Sequence, residues 1–432
     1  MGNSLYLLVL LLNLSACSTY QMRVQKSVEE MRGGNFEAAS FLIKEPAFQE
    51  GLDQVAYLLD YALLQHYAGD FEESNRAFHL VEDLTDVKDY ISLSDEANSL
   101  IFSESMVAYK GDDYEKILIN IFKAINFMAL DNDEAALVEI RRLNDKLNAY
   151  RSQAGRDYSA NPLAHYLAAV LWEKQKAWDD ACIEYEKFYD LKPSFPGIEE
   201  DLVFCSFVSQ RWEKHRKWKK QFGINKYTHK MAKQRKEQNE LLIISYQGMG
   251  PVKVPNPAWP RLPSLVPRNS LRSYTYSREI TKKSLQGSTI LDIDKLAIDA
   301  FNEQFGKLLA KRIAARVAKD QIRQKIKKDD QGAAFLAMVI MDVTDQADLR
   351  QWSMLPKLIE LRRKNLKDKA LEQDEKNQDE SLSLDFAISK KLENKKLQVV
   401  LSKDSHLIYP KPAKEIEAKI NQESEVKNSD QD

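Results

Sequence analysis

One short pattern returns four times in the first half of the chain. It reads Gly34-Asn35-Phe36-Glu37-Ala38-Ala39, Gly69-Asp70-Phe71-Glu72-Glu73-Ser74, Asp131-Asn132-Asp133-Glu134-Ala135-Ala136 and Lys176-Ala177-Trp178-Asp179-Asp180-Ala181. From Tyr20 to about Trp218 the apolar residues around it keep a helical period. Each copy supplies a tight turn, an aromatic residue in three of the four, and a small residue where two helices must approach closely. Carboxylates such as Asp179 and Asp180 sit where they complement a helix amino terminus. A chain punctuated in this way is constrained to fold as consecutive helix pairs, and a single pair cannot bury its own apolar face. The pairs are therefore expected to stack.

The spacing resembles the tetratricopeptide repeat, a helix-turn-helix unit of about 34 residues. The fourth copy matches most fully, with Ala169 in its first helix, Trp172 three residues on, Ala181 in its second, and Pro193 ending it. Ala39, Ser74 and Ala136 are the corresponding packing positions of the other copies. Phe36 to Phe71 is about one repeat, whereas Phe71 to Asp133 and Asp133 to Trp178 are longer, so insertions or degenerate helices are expected near 86–95 and 151–160. The resemblance implies a mainly α fold, a short right-handed solenoid with a concave surface that holds a peptide or protein partner. A spacer or self-associating face, and hence a homo-oligomer, is the alternative.

Ahead of the repeats, Leu5 to Leu12 is apolar but far too short to cross roughly 30 Å of hydrocarbon. It has the length of a signal-peptide core, and Leu14-Ser15-Ala16-Cys17 follows it. That tetrad resembles the bacterial lipobox. The resemblance implies cleavage between Ala16 and Cys17, diacylation of the Cys17 thiol, and acylation of the new amino group by palmitate-like chains. Several acyl chains anchor far more firmly than one. Ser18, rather than aspartate, after the cysteine points to the outer membrane, with the protein facing the periplasm.

The 432 residues suffice for two or three domains. A formal charge of −2 argues against nucleic acid as a partner. Cys182 and Cys205 are expected as two buried thiols too far apart to bridge, a periplasmic disulfide being the alternative. Arg211 to Lys236 is strongly basic, with Glu213 its one acid, and is interleaved with Trp212, Trp218, Phe222 and Tyr227. It reads as the solvated face of a terminal helix with its aromatics inward, or else as a surface for anionic lipid headgroups or another anionic polymer.

The texture changes near residue 239. Leu241 to Tyr246 and Val252 to Val254 read as strand, turn, strand, and the proline-rich 255–267 as an extended segment. Ser270 to Tyr276 alternates like an edge strand. Leu291 to Lys328 is a long amphipathic helix whose stripe (Leu296, Ala300, Phe301, Phe305, Leu308, Leu309, Ile313, Val317) is expected to pack on the strands around it. Gly332 to Val343 reads as a buried helix and Lys357 to Leu361 as a strand. Lys396 to Leu401 and Ser405 to Tyr409 read as a closing pair of strands. The expected division is a signal peptide (1–16), a repeat domain (17–238), a smaller α+β domain (239–363), a charged insertion (364–383), its closing strands (384–410) and a disordered tail (411–432).

No local catalytic signature stands out. Gly248-Met249-Gly250 precedes Pro251 and another extended segment rather than a helix that could hold a phosphate. The six histidines form no metal-ligand spacing, and no nucleophile elbow is present. The expectation is therefore a protein without catalytic residues, metal or cofactor.

Further resemblance lies in Tyr114-Glu115-Lys116 with Asn120, Ala124 and Asn126, in Glu134 to Arg142, in Gly250-Pro251-Val252-Lys253, and in Ala347-Asp348-Leu349-Arg350-Gln351-Trp352 with Leu355-Pro356. These resemble an uncharacterised family of bacterial tetratricopeptide-repeat-containing envelope lipoproteins over Cys17 to about Tyr409. The family's glycine-bearing hairpin after the Leu-Pro pair is replaced here by the charged 364–383 segment. The resemblance implies a scaffold serving cell-envelope or cell-wall assembly. It leaves Gly250, Pro251, Lys253, Asp348, Arg350, Trp352 and Pro356 as motif residues without a role. An envelope enzyme acting on cell-wall polymer is the rival, and converging ionisable groups in a cleft near Gly248 to Lys253 and Arg350 would favour it.

Overall fold

The computed structural model describes residues 20–99, 107–154, 162–268, 288–329, 347–366, 397–404 and 406–409. The signal segment with Ala16 and Cys17, the 270–276 strand, the 332–343 helix, residues 367–396 and the tail from 411 lie outside the described residues. The chain is mainly helical, with a smaller sheet region later. Helices α1 (Tyr20–Arg32), α2 (Phe36–Phe48), α3 (Gln54–Tyr67), α4 (Phe71–Ser99), α5 (Asp113–Ala129) and α6 (Asp133–Ala154) are followed by α7 (Pro162–Lys174), α8 (Trp178–Leu191), α9 (Ile198–Val208), α10 (Trp212–Gln221) and α11 (His229–Glu237). From α1 to α10 each helix packs against the next, and α11 folds back on α9. No helix among the described residues is long and apolar enough to cross a membrane.

The four recurring turns close in the same way. Gly34, Gly69, Asp131 and Lys176 take positive φ, at 81°, 74°, 57° and 63°. The N–H of each bonds back three residues and that of its successor bonds back five, as in Asn35 N–H to Glu30 O at 3.0 Å and Asp70 N–H to Gln65 O at 2.9 Å. This Schellman closure satisfies the last carbonyls of one helix and aims the chain into the next. A fifth copy is found at Gln210, with φ 60° and Arg211 N–H bonded to Ser206 O at 3.0 Å, where α10 begins. The sequence pattern hides it, because neither glycine nor a small residue is present and His215 stands where the other copies have alanine or serine.

Ala39, Ser74, Ala136, Ala169 and Ala181 are completely buried. Pro193 is exposed just beyond α8, so it marks the helix end and takes no part in packing. Replacing Ala181 by leucine should overpack α8 and lower the unfolding free energy by about 1–3 kcal/mol. A thermal unfolding curve that coincides with the parent's would contradict the close approach at that residue.

The extra length expected near 86–95 is taken up by α4, a single helix of 29 residues, while 155–161 lies outside the described residues. One sequence expectation is corrected in this part of the chain. Cys182 and Cys205 are joined as a disulfide between α8 and α9, with Cα atoms 5.4 Å apart. The helical period placed both thiols inward but carried no information on where the two helices meet. The bridge spans 23 residues of sequence, and by loop-closure entropy its removal should cost about 3 kcal/mol. Denaturant unfolding with and without reductant checks this, and identical midpoints would contradict it.

The sheet order is β4 (Ser288–Asp292), β5 (Leu358–Leu366), β1 (Asn239–Gln247), β6 (Leu397–Lys403), β7 (His406–Tyr409). β1 runs antiparallel to β5 and parallel to β6. As the central strand it is buried on both faces, so Leu241 to Tyr246 reads as an unbroken apolar run save Ser245. β2 (Val252–Pro255) does not pair with β1. It pairs with β3 (Pro263–Val266), taken from the proline-rich segment, and Pro255 faces Pro263 at the end where neither could donate.

Helix α12 (Ile293–Asp329) packs through Ile293, Ala297 and Ala300. The stripe predicted to pack along its whole length does so only at the start, since Ile313 and Val317 are 55% and 54% exposed. One face of the sheet, with Leu242, Ile244 and Tyr246 of β1, joins the helical core. Tyr246 of β1 and Trp352 meet Phe122 of α5 at 5.7 and 5.6 Å between ring centroids, and Trp352 meets Phe78 of α4 at 5.5 Å. Helices and this face of the sheet therefore share one continuous apolar interior, while Leu241, Ile243 and Val400 are buried apart from it.

Candidate functional site: polar clamps between helices and sheet

Residues 347–357 lead into β5 as an irregular segment, so their backbone groups need partners from elsewhere. Two helical carboxylates supply them. Asp60, alone within the apolar run Val55 to Leu64 of α3, accepts the Met354 N–H at 2.8 Å and the Tyr20 hydroxyl. Glu115, in the first turn of α5, accepts the Trp352 N–H at 2.6 Å, the Tyr109 hydroxyl at 2.7 Å and the Asp112 N–H at 3.0 Å. Burial pushes both carboxyls up to about 7; Asp112 adds to the rise at Glu115, while Lys253 and these donors hold it back.

The seven motif residues converge on this segment. Lys253 Nζ donates to Arg350 O at 2.9 Å and pairs with Asp112 at 2.7 Å. Burial disfavours its charge, but Asp112 and Glu115 outweigh that and hold the ammonium above its ordinary value. Gln351 binds the same hairpin from both sides, donating to Pro251 O at 3.0 Å and accepting the Lys253 N–H. Arg350 forks onto Asp348 at 2.8 and 2.7 Å and reaches Leu52 O and Val107 O at 2.9 Å each. Burial works against the Asp348 carboxylate, and Arg350 more than restores it, leaving its pKa below the ordinary value.

Gly250 N–H bonds Leu355 O at 2.7 Å, and a Cβ at Gly250 would come within 3.3 Å of Leu355 and of the Pro356 carbonyl. A side chain here would need Leu355 or the Pro356 carbonyl to give by a few tenths of an ångström, and glycine avoids that.

A second buried network lies on the same face of the sheet, at the opposite end of β1 from Tyr246. Arg363 of β5 forks onto Glu173 of α7 at 2.9 and 3.0 Å and binds Tyr185 of α8 at 2.8 Å and Glu240 of β1 at 2.8 Å. It reaches Asp201 of α9 at 3.4 Å, which also takes Arg235 of α11 and the Tyr166 hydroxyl. Burial raises the Glu173 carboxyl, but Arg363 and Arg235 reverse that and hold it at about 2. A third connects His66 of α3 to Asn126 of α5 and to the Tyr246 hydroxyl at 2.8 Å. Burial takes His66 down to about 4, so it packs as a neutral hydrogen-bonded ring.

Carboxyls near 7 have the proton affinity of a general acid or base. Here the donors to Asp60 and Glu115 are backbone N–H groups and tyrosine hydroxyls of the fold itself. Ionisable groups do converge around Lys253 and Arg350, as the enzyme reading required, but the two are only 4% and 6% exposed, with Lys253 engaged by Asp112 and Arg350 O and Arg350 by Asp348 and Val107 O. Among the described residues no group of three or more His, Cys, Asp or Glu could hold a metal ion. No family model and no curated protein matches the sequence.

Sequence reasoning missed Asp60, Arg363, Glu173, Asp201, Glu240 and Arg235. For Asp60 a signal was there, since a lone carboxylate among nine apolar and aromatic residues must be partnered if it is buried. The others sit among ordinary surface-like charges, and only the tertiary packing selects them.

Proposed function

We propose that this protein is an acylated envelope lipoprotein of the outer membrane, facing the periplasm, whose tetratricopeptide-like helix pairs hold a protein partner. The observation that carries the reading is the Leu14-Ser15-Ala16-Cys17 tetrad, whose cysteine is three residues ahead of Tyr20 in the sequence. An acyl group on Cys17 would by chain length alone hold Tyr20 within about 11 Å of its attachment point. The five turn closures that lead straight into the next helix support a repeat architecture, and the internal pairing of the converging ionisable groups supports a scaffold over an enzyme.

The outward side of α2 supports the partner role, because Phe41 is 78% exposed beside Leu42 and Phe48. An apolar aromatic held out to solvent is informative in a way that scattered surface leucines are not. A photocrosslinking amino acid in place of Phe41, in cells, should capture a second envelope protein. Capture of the chain's own copies alone would favour the self-associating spacer, and no capture at all would remove this face from the account. The resemblance in the motif residues supports a search for that partner among cell-wall assembly proteins.

A further inference from the structure

Between Arg211 and Lys236 the chain carries eleven lysines and arginines against Glu213, in a protein whose total charge is −2. Some of these cations serve the fold: Arg235 pairs with Asp201, Lys214 with Glu186, and Arg211 with Glu186 and Asp179. Arg216, Lys220, Lys226 and Lys230 instead stand exposed. The aromatics divide in the same manner. Trp218 is buried against Tyr189 and Phe222, which is the inward packing expected of a terminal helix. Trp212 points the other way and is 46% exposed, on the same face of α10 as Arg216 and Lys220 by their four-residue spacing.

The two short helices meet at one place. The Phe207 ring lies 5.5 Å from Trp212 at the start of α10 and 4.9 Å from His229 at the start of α11. Lys230 and Met231 follow His229, and Met231 is 44% exposed. The amino-terminal ends of α10 and α11 thus present a tryptophan and a methionine to solvent within a field of cations.

We propose that this face binds the surface of an anionic lipid bilayer, with Trp212 and Met231 entering the headgroup layer and the surrounding lysines and arginines meeting lipid phosphates. A soluble polyanion would use the charge and leave the two apolar side chains without purpose. An anionic bilayer uses both, since tryptophan favours the interfacial layer and juxtamembrane cations are attracted to it. The contact does not depend on acylation of Cys17.

The test uses the chain beginning at Ser18, which keeps every described residue and has no acylation site at its start. It should float with vesicles of phosphatidylcholine mixed with phosphatidylglycerol, fail to float with phosphatidylcholine alone, and detach at high salt. Replacing Arg216, Lys220, Lys226 and Lys230 by glutamate should weaken vesicle binding at least about tenfold, with an unchanged circular dichroism spectrum because all four side chains are exposed. Trp212→Ser with Met231→Ser should weaken it several-fold at unchanged charge.

Equal flotation with neutral vesicles, or a charge-reversed chain that floats as before, would overturn the proposal. So would a chain that ignores anionic vesicles yet is retained by polyglutamate, an outcome that assigns the face to an acidic polymer. Because the chain tested has no acylation site, none of these results bears on the lipoprotein reading.

Discussion

Arg363→Ala should lower the unfolding free energy by about 3–5 kcal/mol, the usual consequence of removing one partner from a buried ion cluster. The guanidinium lies among Glu173, Asp201 and Glu240, so its loss leaves three carboxylates in the interior with Arg235 alone to balance them. The network joins α7, α8, α9 and α11 to β1 and β5, and it is the point at which the late sheet locks to the carboxy-terminal helices. Arg363→Lys should recover only part of the loss, because a single ammonium cannot form the fork onto Glu173 while reaching Glu240 and Tyr185. Urea midpoints at neutral pH measure both. A loss below about 1 kcal/mol for the alanine variant would place the cluster in solvent and contradict its burial.

The second large effect is a pH dependence of the opposite sign to ordinary acid unfolding. Burial lifts Asp60 from 3.8 to about 7. Between these values the folded chain holds a proton that the unfolded chain has released, so its contribution to stability is complete below about pH 4 and is lost as pH rises through 7. Parent stability relative to Asp60→Asn should therefore fall with a slope of about 1.4 kcal/mol per pH unit across that window, about 4 kcal/mol in all. Asparagine keeps an oxygen for the Met354 N–H, and the difference reads the Asp60 titration together with its coupling to Glu115, which is also raised to about 7. Glu173, held at about 2, works the other way: its contribution is present above its ordinary value and is lost as pH falls toward 2. Paired urea titrations at several pH values separate the two, and a difference that is flat or rises from pH 5 to 7 would contradict the burial of Asp60.

Much of the fold was legible because it is written in local chemistry. Gly34 and Gly69 announce a left-handed residue, the acids after them announce a helix start, and Ala39 to Ala181 announce close packing; the structure shows all of these. The closing strands and α12 were likewise readable from period alone. What failed to show depends on where distant segments meet. The Cys182–Cys205 bridge, the β2–β3 pairing and the shared core are each decided by tertiary placement, to which a period of 3.6 or 2 is blind. The seven motif residues were found as a group by resemblance, and their geometry explains the grouping: Gly250, Lys253, Arg350 and Trp352 form one interlocking seam between hairpin, loop and helices. Asp60 and Arg363 needed the packing to be known.

The central claim is that an acyl group on Cys17 fixes this helical scaffold to the envelope. Growth with labelled palmitate, followed by fractionation of parent and Cys17→Ser cells, tests it most directly. The account predicts label in the parent chain, none in the variant, and loss of the variant from the outer-membrane fraction. An unlabelled parent chain, or a variant that stays in that fraction at the parent's level, would contradict it.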